Sequence, residues 1–126
     1  MENRKAVDIN EWLYRRGYST PERRYMNPDG TATSRVFKLR EKDKGELSVD
    51  IKSMTTPEKS VGDPTNFFLF EIPNSAVLRI TSPRLNTFYD PLVDGSNDAH
   101  AVITGMTMED DITPGILARS SKRVFL

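Results

Sequence analysis

The feature that most limits what this chain can fold into is its punctuation. Its 8 prolines and 7 glycines cut it into short pieces, because proline removes a backbone donor and glycine opens backbone angles that other residues avoid. Most of the pieces are too short for helices and read as strands. The clearest is ELSVDI, residues 46–51, where Leu47, Val49 and Ile51 fall on one face and Ser48 and Asp50 on the other, the period of a half-buried strand. TNFFLFEI, residues 65–72, is apolar on both faces and suits a central strand covered on both sides. SRVFKLR, residues 34–40, alternates imperfectly and is expected as a further strand. NTFYD and AHAVITGM, residues 86–90 and 99–106, are expected as two more, joined by the loop PLVDGSND. WLYRR, residues 12–16, reads as an early strand or as the end of a short turn that Asp8 caps, with Glu11 three residues on in capping-box fashion.

Helical signals are brief. In TTPEKSVG, residues 55–62, Thr56 is a good N-cap and Pro57 takes the first helical position. PNSAVLRI, residues 73–80, is expected as a short helix packed over the sheet. Near the end, Thr113 as N-cap and Pro114 after it open a short helix whose last turn would hold Lys122 and Arg123, cations that complement the helix dipole. NPDG, residues 27–30, is a strong turn signal inside the loop 20–33, and EKDKG, residues 41–45, is a charged hairpin-like connection. About five short strands with two or three short helices make a small α+β domain spanning 1–126, with 107–126 as a semi-detached C-terminal tail. The alternating strand and long-helix pattern of a doubly wound fold is missing.

Composition narrows the function classes. Aromatic residues at 9% argue against a disordered chain, and 126 residues can bury a core without staples. Eighteen basic residues balance 18 acidic ones, so the overall basic excess of a protein built mainly to hold nucleic acid is absent, though a local patch stays open. Without cysteine there is no disulfide scaffold, thiolate zinc site or cysteine nucleophile. The first ten residues are charged and lack the apolar core of a signal peptide, and no stretch approaches a membrane span. The expectation is a soluble, cytoplasmic protein with no membrane partner.

His100 is the only histidine. A histidine titrates near neutrality and serves as general base or ligand, and Asp90, Asp94 and Asp98 precede it in a loop where a carboxylate could orient its ring. The alternative is a half-buried strand histidine that hydrogen-bonds a nearby carbonyl, since it shares a face with Val102. A set of Ser48, His100 and Asp90 can be assembled on paper, with nothing in the spacing to favour it over chance. The acidic groups at 90, 94 and 98 and at 109–111 lack the spacing of an EF-hand, so no metal site is assigned. Phosphate loops and the GxSxG and HExxH motifs are absent, and no cofactor is expected. A second cluster is Arg15, Arg16, Arg23 and Arg24 interleaved with Tyr14, Tyr18 and Tyr25. Arginine with tyrosine serves phosphate recognition, base stacking and protein-interface hot spots; a solvated edge over packed tyrosines is the plainer account.

Taken in order, WLYRR, the PDG turn, Phe37, LSVD, TTPE and DPL…AHAVITG resemble a family of small bacterial proteins with a Tyr-Arg-Arg start, a Leu-Ser-Val-Asp block and an Asp-Pro-Leu…Ala-His-Ala end. The resemblance covers about residues 12–105 and departs at DGSND, where the pattern would carry a loop with proline and asparagine. It implies no activity, but it points to Arg15, Arg16, Ser48, Asp50, Asp90 and His100. An arginine on an early strand and a serine on the next also resemble the layout of ADP-ribosyltransferase-like domains, in which the arginine binds dinucleotide phosphates. Such domains add a late glutamate; Glu71 and Glu109 are the late candidates here, and neither stands in a Glu-x-Glu pair.

The leading expectation is a non-enzymatic module that binds a protein partner through Tyr14, Arg15, Arg16, Arg23, Arg24 and Tyr25. A small nucleotide- or NAD-using enzyme with Arg15, Ser48 and His100 in one pocket is the alternative, and nucleic-acid binding through the arginine cluster the second alternative. The enzyme reading requires those three residues to converge.

Overall fold

The structure, a computed structural model, describes residues 2–126; Met1, the first residue of the charged N-terminal stretch, lies outside them. Six strands form one antiparallel sheet: β1 Trp12–Tyr18, β2 Glu46–Ile51, β3 Phe67–Pro73, β4 Asn86–Tyr89, β5 His100–Thr104 and β6 Lys122–Val124, in the spatial order β4-β5-β2-β1-β3-β6. Three short helices accompany it, α1 Pro57–Val61, α2 Asn74–Leu78 and α3 Thr113–Ser120. This is the α+β domain expected from the punctuation. Among the described residues no helix is long and apolar enough to cross a membrane.

The alternation in β2 determines which way the sheet faces. Leu47, Val49 and Ile51 turn to the main core, where they join Leu13 of β1, Phe70 and Ile72 of β3, and Ala101 and Ile103 of β5. That core is closed by Val77 of α2, Leu117 and Ala118 of α3, and the consecutive pair Val36 and Phe37. The opposite face of the sheet has a much smaller apolar cover: Val61 of α1 packs with Tyr14 and Leu69, flanked by Phe67 and Val124. Burial of apolar area drives folding roughly in proportion to area, so the first face stabilises the fold and the second is left with room for polar groups.

Several short signals act as the sequence implies. Thr56 caps α1, its hydroxyl accepting from the Lys59 amide at 3.2 Å, with Pro57 at the first position. In the NPDG turn the Gly30 amide donates to the Asn27 carbonyl at 2.9 Å, and Gly30 takes a φ of 90° that favours glycine. Asn74, fully buried at the start of α2, donates to the carbonyls of Val7 and Asp8 and accepts from the Thr87 hydroxyl. It thereby ties the N-terminal segment to β4, whose outer edge that segment covers through Val7 N to Thr87 O and Tyr89 N to Lys5 O. A covered edge cannot recruit another strand.

Four expectations are corrected. SRVFKLR is not a strand: residues 34–37 form a 3₁₀ turn. Val36, Phe37 and Leu39 are all buried in the same core, which a strand's alternation would forbid. Lys122 and Arg123 do not end a helix but lie in β6. The helix stops at Ser120, and the hydroxyls of Ser120 and Ser121 turn back to the carbonyls of Ile116 and Ala118. Residues 107–126 are therefore no semi-detached tail: Leu117 is fully buried and β6 pairs with β3 along Leu69–Val124, Phe70–Arg123 and Glu71–Lys122. Asp8 makes a tight turn through the Asn10 amide, but Glu11 completes no capping box; its carboxylate accepts from the Ser53 hydroxyl instead.

Thr113 is also not the residue whose side chain caps α3. Asp110 Oδ1 accepts from the amides of Ile112 and Thr113 at 3.0 and 2.9 Å, and the Thr113 side chain first, then these amides, hold its carboxyl below the usual range. A carboxylate with a depressed pKa contributes stability that is present above its unfolded value and lost as pH falls through the folded one. Asp110→Ala should lower stability by about 1 kcal/mol, the usual cost of losing a cap, measured by urea denaturation at neutral pH. The difference from the parent protein should shrink in acid, where the parent loses the same contribution.

Candidate functional site

The site starts from a divergence between two strands. β1 follows β3 for seven register pairs, and β2 follows β5 for five. β1 and β2 meet only at Leu13–Ile51 and Tyr14–Asp50, then part. The backbone groups of β2 beyond that point lack a neighbouring strand on the β1 side, and their carbonyls are left to other donors. Arg15 supplies them: its Nη1 donates to the Ser48 carbonyl at 2.9 Å and its Nε to the Val36 carbonyl at 2.8 Å. Both partners are neutral, and burial pulls the guanidinium down to about 10. It stays charged at neutral pH, so the desolvation cost persists across the physiological range and would be relieved only near and above pH 10.

Where the strands part, on the thinly covered face, lies a cleft of about 340 Å³. Tyr14, Arg15 and Arg16 come from β1, Ser48 and Asp50 from β2, and His100 from β5. Lys59 and Ser60 of α1 form one wall; Leu92 and Asn97 of the loop 90–99 form the other. The enzyme reading required Arg15, Ser48 and His100 to converge, and the structure brings all three to this cleft.

Register explains how Ser48 and His100 meet. His100 is paired with Asp50, and Ser48 with Val102, so the two side chains are diagonal neighbours on one face, within reach of each other. Ser48 Oγ stands 3.1 Å from His100 Nε2. On the other side of the ring, Nδ1 lies 2.6 Å from the Asp90 main-chain carbonyl and 3.5 Å from Asp90 Oδ2. A carbonyl oxygen only accepts, so Nδ1 carries the proton and, in the neutral ring, Nε2 is left as acceptor for the Ser48 hydroxyl. A serine hydroxyl donating to a histidine whose far nitrogen is fixed by a third group is the arrangement that activates a nucleophile. Ser48 is exposed and His100 half-buried.

Asp50 holds the walls. Its Oδ2 accepts from the Ser60 hydroxyl at 2.7 Å and its Oδ1 from Asn97 Nδ2 at 2.8 Å. One carboxylate thus joins α1 and the loop 90–99 across the floor. Burial pushes the Tyr14 hydroxyl up, and Arg16 lies over the Phe67 ring at 4.4 Å.

The arginine and tyrosine cluster is divided by this geometry. Tyr14, Arg15 and Arg16 line the cleft, whereas Arg23 and Arg24 are exposed on the 3₁₀ turn after β1. Arg23 stacks over Tyr18 at 3.9 Å, and Tyr18 meets the Tyr25 ring edge-on at 5.5 Å. Tyr25 lines a second, smaller cavity with Arg40 and Lys42. Glu71 is occupied elsewhere, with Lys52 at 3.1 Å and Lys122 at 3.8 Å, and neither it nor Glu109 lines the cleft, so the glutamate of the ADP-ribosyltransferase-like layout has no counterpart. Among the described residues no group of three or more acidic or histidine side chains could hold a metal ion. Lys59, Ser60 and Asn97 were not singled out from the sequence. The strong cap at Thr56–Pro57 marks the helix that presents the first two; Asn97 carries no local signal.

Comparisons with protein-family models, curated proteins and solved structures gave no match to the chain. Function must therefore be read from the cleft itself.

If Arg15 fills the gap between β1 and β2, Arg15→Leu leaves the part-buried Val36 carbonyl without a donor and the Ser48 carbonyl to solvent. An orphaned buried group costs about 1–3 kcal/mol, and chemical denaturation should show a loss in that range. Arg16→Leu, at an exposed position, should cost well under 1 kcal/mol.

Proposed function

We propose that the cleft is the active site of a small hydrolase acting on an anionic ester, with Ser48 as nucleophile and His100 as its base. The observation that carries this reading is the single line from Asp90 through the His100 ring to the Ser48 hydroxyl, opening into a cleft flanked by Arg15, Arg16 and Lys59. Ser48 Oγ would attack the ester carbon while His100 Nε2 accepts the hydroxyl proton. His100 then returns that proton to the departing alkoxide, leaving an acyl-serine. Water, deprotonated by the same nitrogen, attacks the acyl carbon, releases the acid and restores Ser48. Arg16 and Lys59 supply positive charge where the oxyanion develops, and they favour a substrate that is itself negative. Arg15 positions the Ser48 backbone.

The test is labelling with a fluorophosphonate, which traps an activated serine, followed by peptide mapping and hydrolysis of nitrophenyl esters. Ser48 should be labelled, and Ser48→Ala should abolish both label and turnover. His100→Gln should lower turnover by about a hundredfold or more, the usual contribution of a positioned base. Absence of label on Ser48, or label and turnover that persist in His100→Gln, would sink the proposal.

Docking of a protein partner is a second reading, favoured by a different observation: the exposed guanidinium of Arg23 stacked on Tyr18, beside exposed Arg24 and outside the cleft. Arginine and tyrosine together are typical interface anchors. In affinity capture from the native host, the Arg23→Ala, Arg24→Ala double variant should lose a partner that Ser48→Ala retains. A partner retained by the double variant, or none captured by the parent protein, would remove this reading.

A further inference from the structure

Beyond the cleft, on the other side of Arg15 and Arg16, lies a cavity of about 110 Å³ that the hydrolytic reading leaves unused. Arg15 and Arg16 line both spaces, so the two are joined by a shared pair of guanidinium groups. The smaller space adds Arg40 and Lys42, and its other walls are the rings of Tyr18, Tyr25 and Phe67. Among the described residues no acidic side chain lines it. Four cations stand over aromatic walls, and Asp43 is the acidic group beside Arg15 and Arg40, so positive charge is in excess there and like charges repel.

Arg40 marks the deficit. Its Nε is buried and takes no hydrogen-bond partner. The nearest carboxylate oxygen, Asp43 Oδ2, is 3.7 Å away and already accepts from the Arg40 main-chain amide at 2.7 Å. A buried donor left unpaired is rare in folded proteins and invites an explanation. The hydroxyl of Tyr18 is held below its ordinary range, first by Arg23, against the opposing effect of burial, and further by Arg40 and Lys42, which reports the same positive surroundings. Arg15, with only neutral carbonyls as hydrogen-bond partners, would also gain a counter-charge from an anion placed there.

We infer that this smaller cavity is a phosphate subsite, and that the substrate of the cleft is a small phosphorylated ester whose phosphate is held by Arg15, Arg16, Arg40 and Lys42 while its ester group reaches Ser48. A phosphate group offers several acceptor oxygens and a charge near two, which suits several planar guanidinium donors converging on one point. A space of about 110 Å³ takes one such group and excludes a length of polymer. The assignment of the ester end rests on the hydrolytic reading; the phosphate subsite stands on its own geometry.

The experiment is isothermal titration of the intact protein with inorganic phosphate, alongside a phosphorylated and an unphosphorylated ester of the same alcohol. Inorganic phosphate should bind in the millimolar range or better. Arg40→Gln and Lys42→Ala should each weaken it by about tenfold, or roughly 1.4 kcal/mol. Lys42 is exposed, so its variant keeps the test usable if Arg40→Gln fails to fold. Ser48→Ala should bind phosphate as the parent does, and turnover of the phosphorylated ester should exceed that of its plain counterpart through a lower KM. Three results would overturn the inference: no binding of phosphate at millimolar concentration, binding that survives both variants but disappears in Lys59→Ala, or tighter Arg40-dependent binding of a single-stranded oligonucleotide than of phosphate. Labelling of Ser48 reports on the hydrolytic reading alone, so a failure of either can be told from a failure of the other.

Discussion

The rest of this structure depends on where Arg15 places its guanidinium. β1 and β2 are neighbours in the sheet, yet they share only two register pairs before they separate. A gap in the middle of a sheet exposes backbone groups on both sides, and those groups must find partners. Arg15 bridges it from β1 to the Ser48 carbonyl of β2 and to the Val36 carbonyl of the 3₁₀ turn beneath. The consequences run in both directions. Downward, the turn carrying Val36 and Phe37 is fixed against the core. Upward, the backbone that presents Ser48 is fixed at the floor of the cleft. A lysine would not substitute equally, since it carries its donors on one nitrogen and lacks the planar fork whose separate Nε and Nη1 are aimed at two carbonyls.

The fold was legible where the signal is local and lost where it depends on tertiary partners. ELSVDI declares itself by alternation, and Thr56–Pro57 by capping chemistry; each needs only its own residues. SRVFKLR was misread because its two adjacent core residues answer to a surface built from distant parts of the chain, α3 and β1. β6 was missed because Lys122 and Arg123 suit a helix end as well as a strand. What decides between them is the open edge of β3, together with the hydroxyls of Ser120 and Ser121 that end α3.

The site was legible as a set of residue types and illegible as an arrangement. Arg15, Ser48 and His100 stand out as chemistry-bearing residues, but their meeting depends on β2 pairing with β5, two strands that are not consecutive in the chain. A shift of one residue in that register would send Ser48 to the opposite face from His100. Arg40 and Lys42 were hidden for a different reason. They look like a charged connection between strands, and only their proximity to Arg15 and Arg16 turns them into the lining of a cavity.

The two faces of the sheet explain how a polar cleft can be held in so small a domain. The face under β2 carries nearly all of the large buried side chains, so it can supply the stability that polar groups on the other face consume. On that second face the apolar cover contracts to a patch around Tyr14, Val61 and Leu69, and the remaining area is held by hydrogen bonds. Asp50 is the hub there: with one oxygen on Ser60 and one on Asn97, it closes α1 and the loop 90–99 toward each other. Among the described residues Asp50 is the one acidic side chain lining the cleft with Arg15, Arg16 and Lys59. The walls are thus assembled by a carboxylate with a partner on each oxygen, while Arg16 and Lys59 stand around it as the positive groups of the cleft.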